Sequence, residues 1–600
     1  MKIKKEKIFL VVNTFLGFLL GVFTWDKLVI PYKDVSIIGI YSENNYHALN
    51  DVLRYSVVIL LPSFAFLLTK YFFDKSFFIK LKKIFQRNNF EVYENKKISS
   101  YFIFLLISLL IFEFLSIDFP YHEIDTYHEG QRLSAAYKSL IDGSLWSGSY
   151  VTVGIFYEIL SSKIIWKLLD HVSIGSVRFF DLFLILILKL LLLTLLYQIV
   201  HFLKINVFYQ KLFLIFNIFF INQVIDYDLT NVSLISFREI PIILLAIFFI
   251  LMLRVKNNSI ILVLISLLSI SSALWGVDRG LVCNFLILMI LFYFIFSKDY
   301  KSFIKLSSFI FLSWLIVALY LDKEFFYFTD NTISILKTMP YVHGLIHPPL
   351  FSSENESFRA SKTILVILLT LLLSINAFFL DENKYSNNLK KIFFFISVAC
   401  VAGYIYALGR SDTPHIKQTF GLPLFFISIF IFYNLIFYLK KKVNFDNSVI
   451  LIFLLSAIFF NSIKIENIKN YNSRLIEFLF KKDEFFLNKD ERFFVEKAKP
   501  LVKEYKCIQL FSNDSALNYL LRKKSCTKYY FVWSASPMIL QKKFIDDLVD
   551  TKLIIKGGRK NNWDLPLEKK LNLVNSYIDS NFLKKEELKY WELFLRKNKS

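Results

Sequence analysis

The residues best suited to chemistry lie between Asp118 and Gly143, in the sequence DFPYHEIDTYHEGQRLSAAYKSLIDG. Asp118, His122, Glu123, Asp125, His128 and Glu129 fall within twelve residues, directly after a long apolar run. Carboxylates and imidazoles beside lipid-soluble chain are costly and mark function by default. A carboxylate there can take a proton from a hydroxyl as general base, and an imidazole can do acid–base work or ligate a metal. Asp125 opens DTYHEGQRL, and Leu133, Tyr137, Leu140 and Ile141 give one apolar face beyond it, with Gly143 suited to a helix stop. Asp125 therefore sits at or just before a helix start. Capping by Asp125, and a T-x-x-E box from Thr126 and Glu129, compete with catalysis. No H-x-x-x-H or HExxH spacing supports zinc.

A second group of residues is suited to an anion. Arg410, Asp412, His415 and Lys417 stand together in GRSDTPHIK, Arg279 in GVDRG and Arg238 in SFRE. A phosphate near a membrane needs cations, and arginine offers a planar donor fork. The competing account is local ion pairing, Arg410 with Asp412 and Asp278 with Arg279.

These residues must be positioned by the apolar part of the chain. The chain has 600 residues and is 55% hydrophobic, which predicts a polytopic α-helical membrane protein. About thirteen spans are expected: Ile8–Phe23, Val52–Phe73, Ser100–Ile117, Phe179–Phe202, Leu212–Val224, Ile240–Leu253, Ile260–Leu274, Leu281–Phe296, Phe303–Tyr320, Ile364–Leu380, Ile392–Leu408, Phe420–Leu439 and Ser448–Phe460. With the N-terminus cytoplasmic, every second loop is rich in lysine, as at Lys80, Lys82, Lys83 and Arg87, or at Lys440, Lys441 and Lys442. This is positive-inside asymmetry repeated along the chain. The opposite loops are mixed in sign and carry His122, His128, His171, His343, His347 and His415. The start, MKIKKEK before an apolar run, lacks a small-residue cleavage site and reads as a retained first span.

Within the long loop 118–178, Phe156, Ile159, Leu160, Ile164, Leu168 and Leu169 are spaced as one helix face, with Glu158, Ser161, Ser162 and Lys163 between them. An amphipathic helix lying in the membrane interface is expected there. Lys189 falls in mid-span and calls for a cavity or a carboxylate. The expected division is a two-span extension over 1–99, a membrane bundle over 100–462 and a soluble, outward-facing α/β domain over 463–600. In that domain KCIQLF, KYYFVW and KLIIKG read as strands, DSALNYLLRK and SPMILQKKFIDDLV as helices, the second capped by Ser536. No Walker or GxGxxG loop marks a nucleotide. Cys507 and Cys526 fall where neighbouring strands would bring them within bridging distance in an oxidising compartment. The net charge of +22 belongs to loops that orient the protein and meet anionic lipid; nucleic acid is not an expected partner.

The layout resembles the GT-C superfamily of polyprenyl-phosphate-sugar-dependent glycosyltransferases, in particular the protein mannosyltransferase and aminoarabinose transferase branches. The resemblance rests on EIDTYHEG directly after a span, two interfacial helices, a many-span bundle with Arg- and His-bearing outward loops, and a C-terminal soluble domain. It differs in that Asp125 and Glu129 are separated by TYH where such enzymes carry adjacent acids, and two spans precede the motif span. The resemblance implies sugar transfer, with inversion, from a polyprenyl-phosphate donor to a glycan, lipid or protein acceptor hydroxyl. Asp125, Glu129 or His128 would handle the proton. Arg410, His415, Arg279, Lys417 and Arg238, or a divalent cation such as Mg, Mn or Ca, would meet the donor phosphate. The implied location is a bacterial inner membrane, with the active site and C-terminal domain on the periplasmic face. An O-antigen-type polymerase or ligase would carry its main outward loop late in the chain, but Asp322–Lys362 is shorter than Asp118–Arg178. A lipid or sugar transporter would show internal repeats and midplane charge, which the sequence lacks apart from Lys189.

Overall fold

A computed structural model describes residues 2–30, 48–85, 98–230, 233–255, 258–343, 347–353, 355–380, 385–408, 412–439, 463–559 and 566–597. Among the described residues, nine helices are long and apolar enough to cross a membrane, and Ser100–Ser116 and Ser259–Trp275 are shorter apolar helices. Each of the first twelve expected spans falls in helix. Ser448–Phe460 lies outside the described residues.

The elements that build the site are these. Helices α1 (Lys2–Thr24) and α2 (Ala48–Phe73) form an N-terminal pair, followed by α3 (Phe77–Phe85). α4 (Ser100–Ser116) leads into the long first loop, which holds α5 (His128–Asp142), a π-turn at Phe156–Leu160 and α6 (Ser161–Leu169). The bundle continues through α7 (Ile174–Val200), α8 (Val207–Val224), α9 (Ile240–Arg254), α10 (Ser259–Trp275), α11 (Val277–Phe296) and α12 (Tyr300–Leu321). α13 (Lys323–His343), α14 (Asn355–Phe379), α15 (Asn387–Gly403), α16 (Ile405–Leu408) and α17 (Thr413–Leu439) complete it.

Helix contacts follow membrane rules. Gly17 and Gly21, four residues apart on α1, let it press onto α2: a Cβ on Gly17 would meet Leu61 O at 3.0 Å, and one on Gly21 would meet Val58 Cα at 3.0 Å. On α12, Phe311, Leu319 and Tyr320 are at least 70% exposed, which suits contact with hydrocarbon and not with water. Lys189 has a partner that sequence alone did not assign. Its Nζ lies 2.8 Å from Glu113 Oε1 on α4 and 4.3 Å from the ring centre of Tyr227.

The amphipathic segment after Gly154 falls in the π-turn at Phe156–Leu160 and in α6. Glu158, Ser161 and Ser162 are buried against protein, while Leu168 and Ile164 are exposed. In an interface the lipid takes the apolar edge, so the polar edge is the one free to pack inward.

The C-terminal region holds a five-stranded sheet ordered β2-β1-β3-β5-β4. The strands are β1 (Cys507–Phe511), β2 (Lys524–Ser525), β3 (Leu553–Gly557), β4 (Phe582–Leu588) and β5 (Trp591–Arg596). β1 runs parallel to β2 and β3, and β5 is antiparallel to β3 and β4, so the sheet is mixed. KYYFVW is not a strand. Tyr529, Tyr530, Phe531, Val532 and Trp533 are buried and serve as packing against the first loop, which explains their apolar run without strand pairing. Ser536 does not cap the following helix, whose first residue is Met538 after Pro537. The hairpin β4–β5 was missed because Leu583 to Glu587 are exposed and charged. Cys507 and Cys526 form a disulfide, with Cα atoms 5.0 Å apart.

Candidate active site

The turn Asp125–His128 is built from its own polar atoms. Asp125 Oδ1 accepts from the backbone N–H of Tyr127 at 3.0 Å and of His128 at 3.3 Å, which is helix-start capping. Its other oxygen, Oδ2, lies 2.7 Å from His128 Nδ1. One carboxylate thus both caps the helix and orients an imidazole.

Glu129 is placed differently. Its carboxylate takes two parallel hydrogen bonds from Arg178, Nε to Oε1 and Nη2 to Oε2, both 2.8 Å, and accepts the Asp125 N–H at 2.9 Å. Arg178 also donates to the carbonyls of Pro120, His122 and Glu123, so it gathers the chain before the turn. The T-x-x-E box does not form in the expected way: Thr126 donates its hydroxyl to Asp514 Oδ1 at 2.7 Å.

His128 lines a cavity of about 230 Å³, together with Gln131, Thr152, Arg238, Asp278, Tyr406 and His415. Its remaining wall is apolar and includes Val277, Leu281, Ile335, Leu336, Met339 and Ile405, with Phe531 supplied by the C-terminal region. The cavity joins residues far apart in sequence: the start of α5, the segment before α9, the start of α11, the middle of α13, α16 and the start of α17.

The charged side of the cavity is a chain of alternating ions. Arg238 Nη2 donates to both oxygens of Asp278, at 3.0 and 3.1 Å, and Nη1 donates to Tyr406 Oη at 3.0 Å. Arg279 lies behind, 1% exposed, paired with Glu239 and with Asp278 Oδ2 at 2.6 Å. The Tyr406 ring is held between the two guanidinium groups, 4.8 Å from Arg238 and 4.4 Å from Arg279. His415 pairs through Nδ1 with Asp412 and packs its ring 4.7 Å from that of Tyr406. Lys417, two positions on along α17, is not among the cavity-lining residues. Arg410 lies outside the described residues.

Glu158 organises the neighbouring wall. It is fully buried and accepts from Thr152 N at 2.8 Å, Thr152 Oγ1 at 2.9 Å, Val153 N and Tyr530 Oη. Burial pushes its carboxyl up from the usual range, and these donors pull it back. Sequence reasoning gave Glu158 no role beyond the polar side of an amphipathic helix. It also missed α13 by treating Asp322–Lys362 as a loop, although Phe328, Ile335, Met339 and Val342 recur at helical spacing and Ile335 and Met339 reach the cavity. Among the described residues, no group of three or more His, Cys, Asp or Glu side chains is placed to hold a metal ion.

Among solved structures, the chain is similar to ArnT from Cupriavidus metallidurans bound to undecaprenyl phosphate, with 9% identity and a TM-score of 0.42 over 83% of this chain and 98% of that one. The apo form of that protein gives 8% identity and the same TM-score of 0.42, over 82% and 97%. An oligosaccharyltransferase from Archaeoglobus fulgidus, tethered with an acceptor peptide, is similar at 10% identity and a TM-score of 0.34, over 81% of this chain and 72% of that one. No family model and no curated protein matches the chain.

Proposed function

We propose that this chain is a membrane glycosyltransferase that moves a sugar from a polyprenyl-phosphate donor to an acceptor hydroxyl. The observation that carries the reading is the single cavity in which His128, backed by Asp125, shares walls with Arg238 and His415. One side offers a proton acceptor, another offers cationic groups, and the rest is apolar. A lipid-linked sugar phosphate has those three parts.

The steps follow from the residues. The acceptor hydroxyl gives its proton to the Asp125–His128 pair, with His128 the member at the cavity. The freed oxygen attacks the anomeric carbon from the side opposite the phosphate, and the carbon–oxygen bond to the phosphate breaks. The configuration inverts, and polyprenyl phosphate leaves with the negative charge. Arg238 and His415 meet that charge. Leu281, Ile335, Leu336 and Met339 line the cavity where prenyl chain would lie. In this reading Arg279 acts from behind, fixing Asp278 and Tyr406 while Arg238 faces the ligand. The site and the C-terminal region, residues 463–600, face the non-cytoplasmic side of a bacterial inner membrane. The alternation of lysine-rich loops supports that sidedness.

The test is turnover in membranes with a panel of polyprenyl-phosphate sugars, comparing wild type with Asp125→Asn and His128→Ala. Product from wild type and loss by a factor of about a hundred or more in both variants is expected. Wild-type rates in either variant would remove the pair from the mechanism. Absence of product from wild type with every donor would end the glycosyltransferase reading.

A further inference from the structure

The turn that aims Asp125 at His128 begins nine residues beyond the last residue of α4, in chain with little regular structure of its own. Something must hold it. Glu129 and Arg178 hold its start, and the hydrogen bonds that hold Thr126 and Tyr127 come from the other end of the sequence, from the loop 512–516 that follows β1. Thr126 Oγ1 donates to Asp514 Oδ1 at 2.7 Å, and the Ala516 N–H donates to Thr126 O at 2.9 Å. Ser515 Oγ donates to Thr126 O at 3.1 Å and to Tyr127 O at 2.9 Å, while Ser134 Oγ returns a bond to Ser515 O. The two segments touch so closely that a Cβ on Gly130 would fall 2.3 Å from Ala516 N. Thr126, Asp514, Ser515 and Ala516 are all buried.

Asp514 is anchored on its own side. Its second oxygen, Oδ2, accepts from Trp591 Nε1 at 3.0 Å and from the Arg559 N–H at 3.2 Å, so it ties the loop after β1 to β5 and to the end of β3. A carboxylate fixed by the sheet on one oxygen, and gripping Thr126 with the other, transmits the position of the sheet to the turn. Thr126 is flanked directly by Asp125 and Tyr127, and its hydroxyl and carbonyl are both taken by this loop. We propose that Asp514 is a positioning residue, and that the C-terminal region serves as a clamp holding the Asp125–His128 pair in register through Thr126. This rests on the reading of that pair as the reacting one. The physical reason is that a misplacement of about 1 Å in a reacting group costs on the order of a hundredfold in rate, so a turn without rigid support would forfeit its chemistry.

The experiment uses the full chain in detergent or membranes with Thr126→Val, Thr126→Ser and Asp514→Ala, each alone and combined with His128→Ala. Two readouts are taken: steady-state transfer with the donor that wild type accepts, and hydrogen exchange of the backbone over residues 126–130. Thr126→Val and Asp514→Ala should each lower kcat about tenfold, with donor KM within about twofold, while Thr126→Ser keeps most of the rate. In the His128→Ala background neither change should lower the rate further, because a residue that acts only through the pair has nothing left to position. Exchange over 126–130 should rise about tenfold in Thr126→Val and Asp514→Ala while the rest of α5 stays protected. Equal losses with and without His128 would show a general packing defect and overturn the proposal. Unchanged exchange at 126–130 would overturn it too. If wild type turns over no donor, the glycosyltransferase reading fails by itself, and the exchange measurement alone then decides whether the clamp exists.

Discussion

Arg178 and Glu129 meet fork to fork, with Nε to Oε1 and Nη2 to Oε2 each at 2.8 Å, beside the carboxylate that orients His128. Two acids four residues apart in one motif are thereby given different work. Glu129 is committed to a buried guanidinium, and Asp125 to an imidazole at the cavity. Removing one partner of a buried ion pair leaves the other charge without compensation, which costs about 3 kcal/mol or more. Glu129→Gln should therefore lower thermal stability by about that amount. Asp125→Asn should be the opposite case, since asparagine caps a helix start about as well as aspartate and stability should move by less than about 1 kcal/mol. Thermal unfolding in detergent, read beside transfer activity, separates the two. A stable but inactive Glu129→Gln protein would reverse the assignment.

Arg238 reaches the cavity, and its guanidinium already holds Asp278 through both carboxylate oxygens and Tyr406 through its hydroxyl. A lysine cannot present that planar fork. Arg238→Lys should lower kcat/KM for the donor about thirtyfold, equivalent to about 2 kcal/mol. The effect should be smaller on the rate with saturating donor, because the charge is kept. Initial rates across donor concentration decide it. Equal kcat/KM in Arg238→Lys would mean that the phosphate is held elsewhere.

His347 makes stability depend on pH. It is buried, with Nδ1 2.9 Å from Pro348 O and Nε2 2.6 Å from Tyr404 Oη. The carbonyl can only accept, so Nδ1 carries the proton and Nε2 accepts from the tyrosine. The charged groups around it are Asp51, which takes the His347 N–H at 3.0 Å, and Arg54, with the Trp25 ring 5.1 Å away. Burial lowers the histidine pKa from 6.5 to about 4. The unfolded chain then binds the extra proton first, so stability is full above about pH 6.5 and falls as pH drops toward about 4, by about 3 kcal/mol in all. Between pH 7 and pH 5.5 the contribution of His347 should fall by about 1 kcal/mol. Melting curves at the two pH values should show a change more destabilising by about that amount in wild type than in His347→Gln. An equal drop in both proteins would assign the acid sensitivity to another group.

Legibility from sequence followed the physics of each signal. Spans were readable because an apolar run of helix length has one meaning in a long hydrophobic chain, and loop lysines gave its alternation. Asp125, His128, Arg238 and His415 stand out in the sequence because charge beside lipid needs a reason, and the structure brings His128, Arg238 and His415 to one cavity. Their neighbours do not stand out. Thr152, Gln131 and Tyr406 line the cavity but carry types common to any loop, and helix periodicity alone cannot say that Glu158 is buried against Thr152, Val153 and Tyr530. Asp514 could not be found at all, since its contact with Thr126 spans 388 positions. KYYFVW looked like a strand because buried aromatic packing and strand pairing select the same residues.

The disulfide offers a check on sidedness and on the link to α5 together. Cys507 begins β1, Cys526 follows β2, and the next residue, Thr527, accepts from Lys138 Nζ on α5 at 2.9 Å. With 19 positions between the cysteines, closing the loop should stabilise the region by about 3 kcal/mol in the chain-entropy account. A bond of this kind persists in an oxidising compartment and not in a reducing cytosol. Cys283 and Cys400 are buried in the bundle and should stay unreactive in the folded protein. An impermeant thiol reagent applied to intact cells, or to spheroplasts if an outer membrane blocks it, should therefore label the chain only after mild reduction, at Cys507 and Cys526. Reduction should also lower the melting temperature and speed hydrogen exchange near Lys138. Labelling before reduction would mean that the bond is not formed, and labelling only after the membrane is opened would put the C-terminal region on the cytoplasmic side.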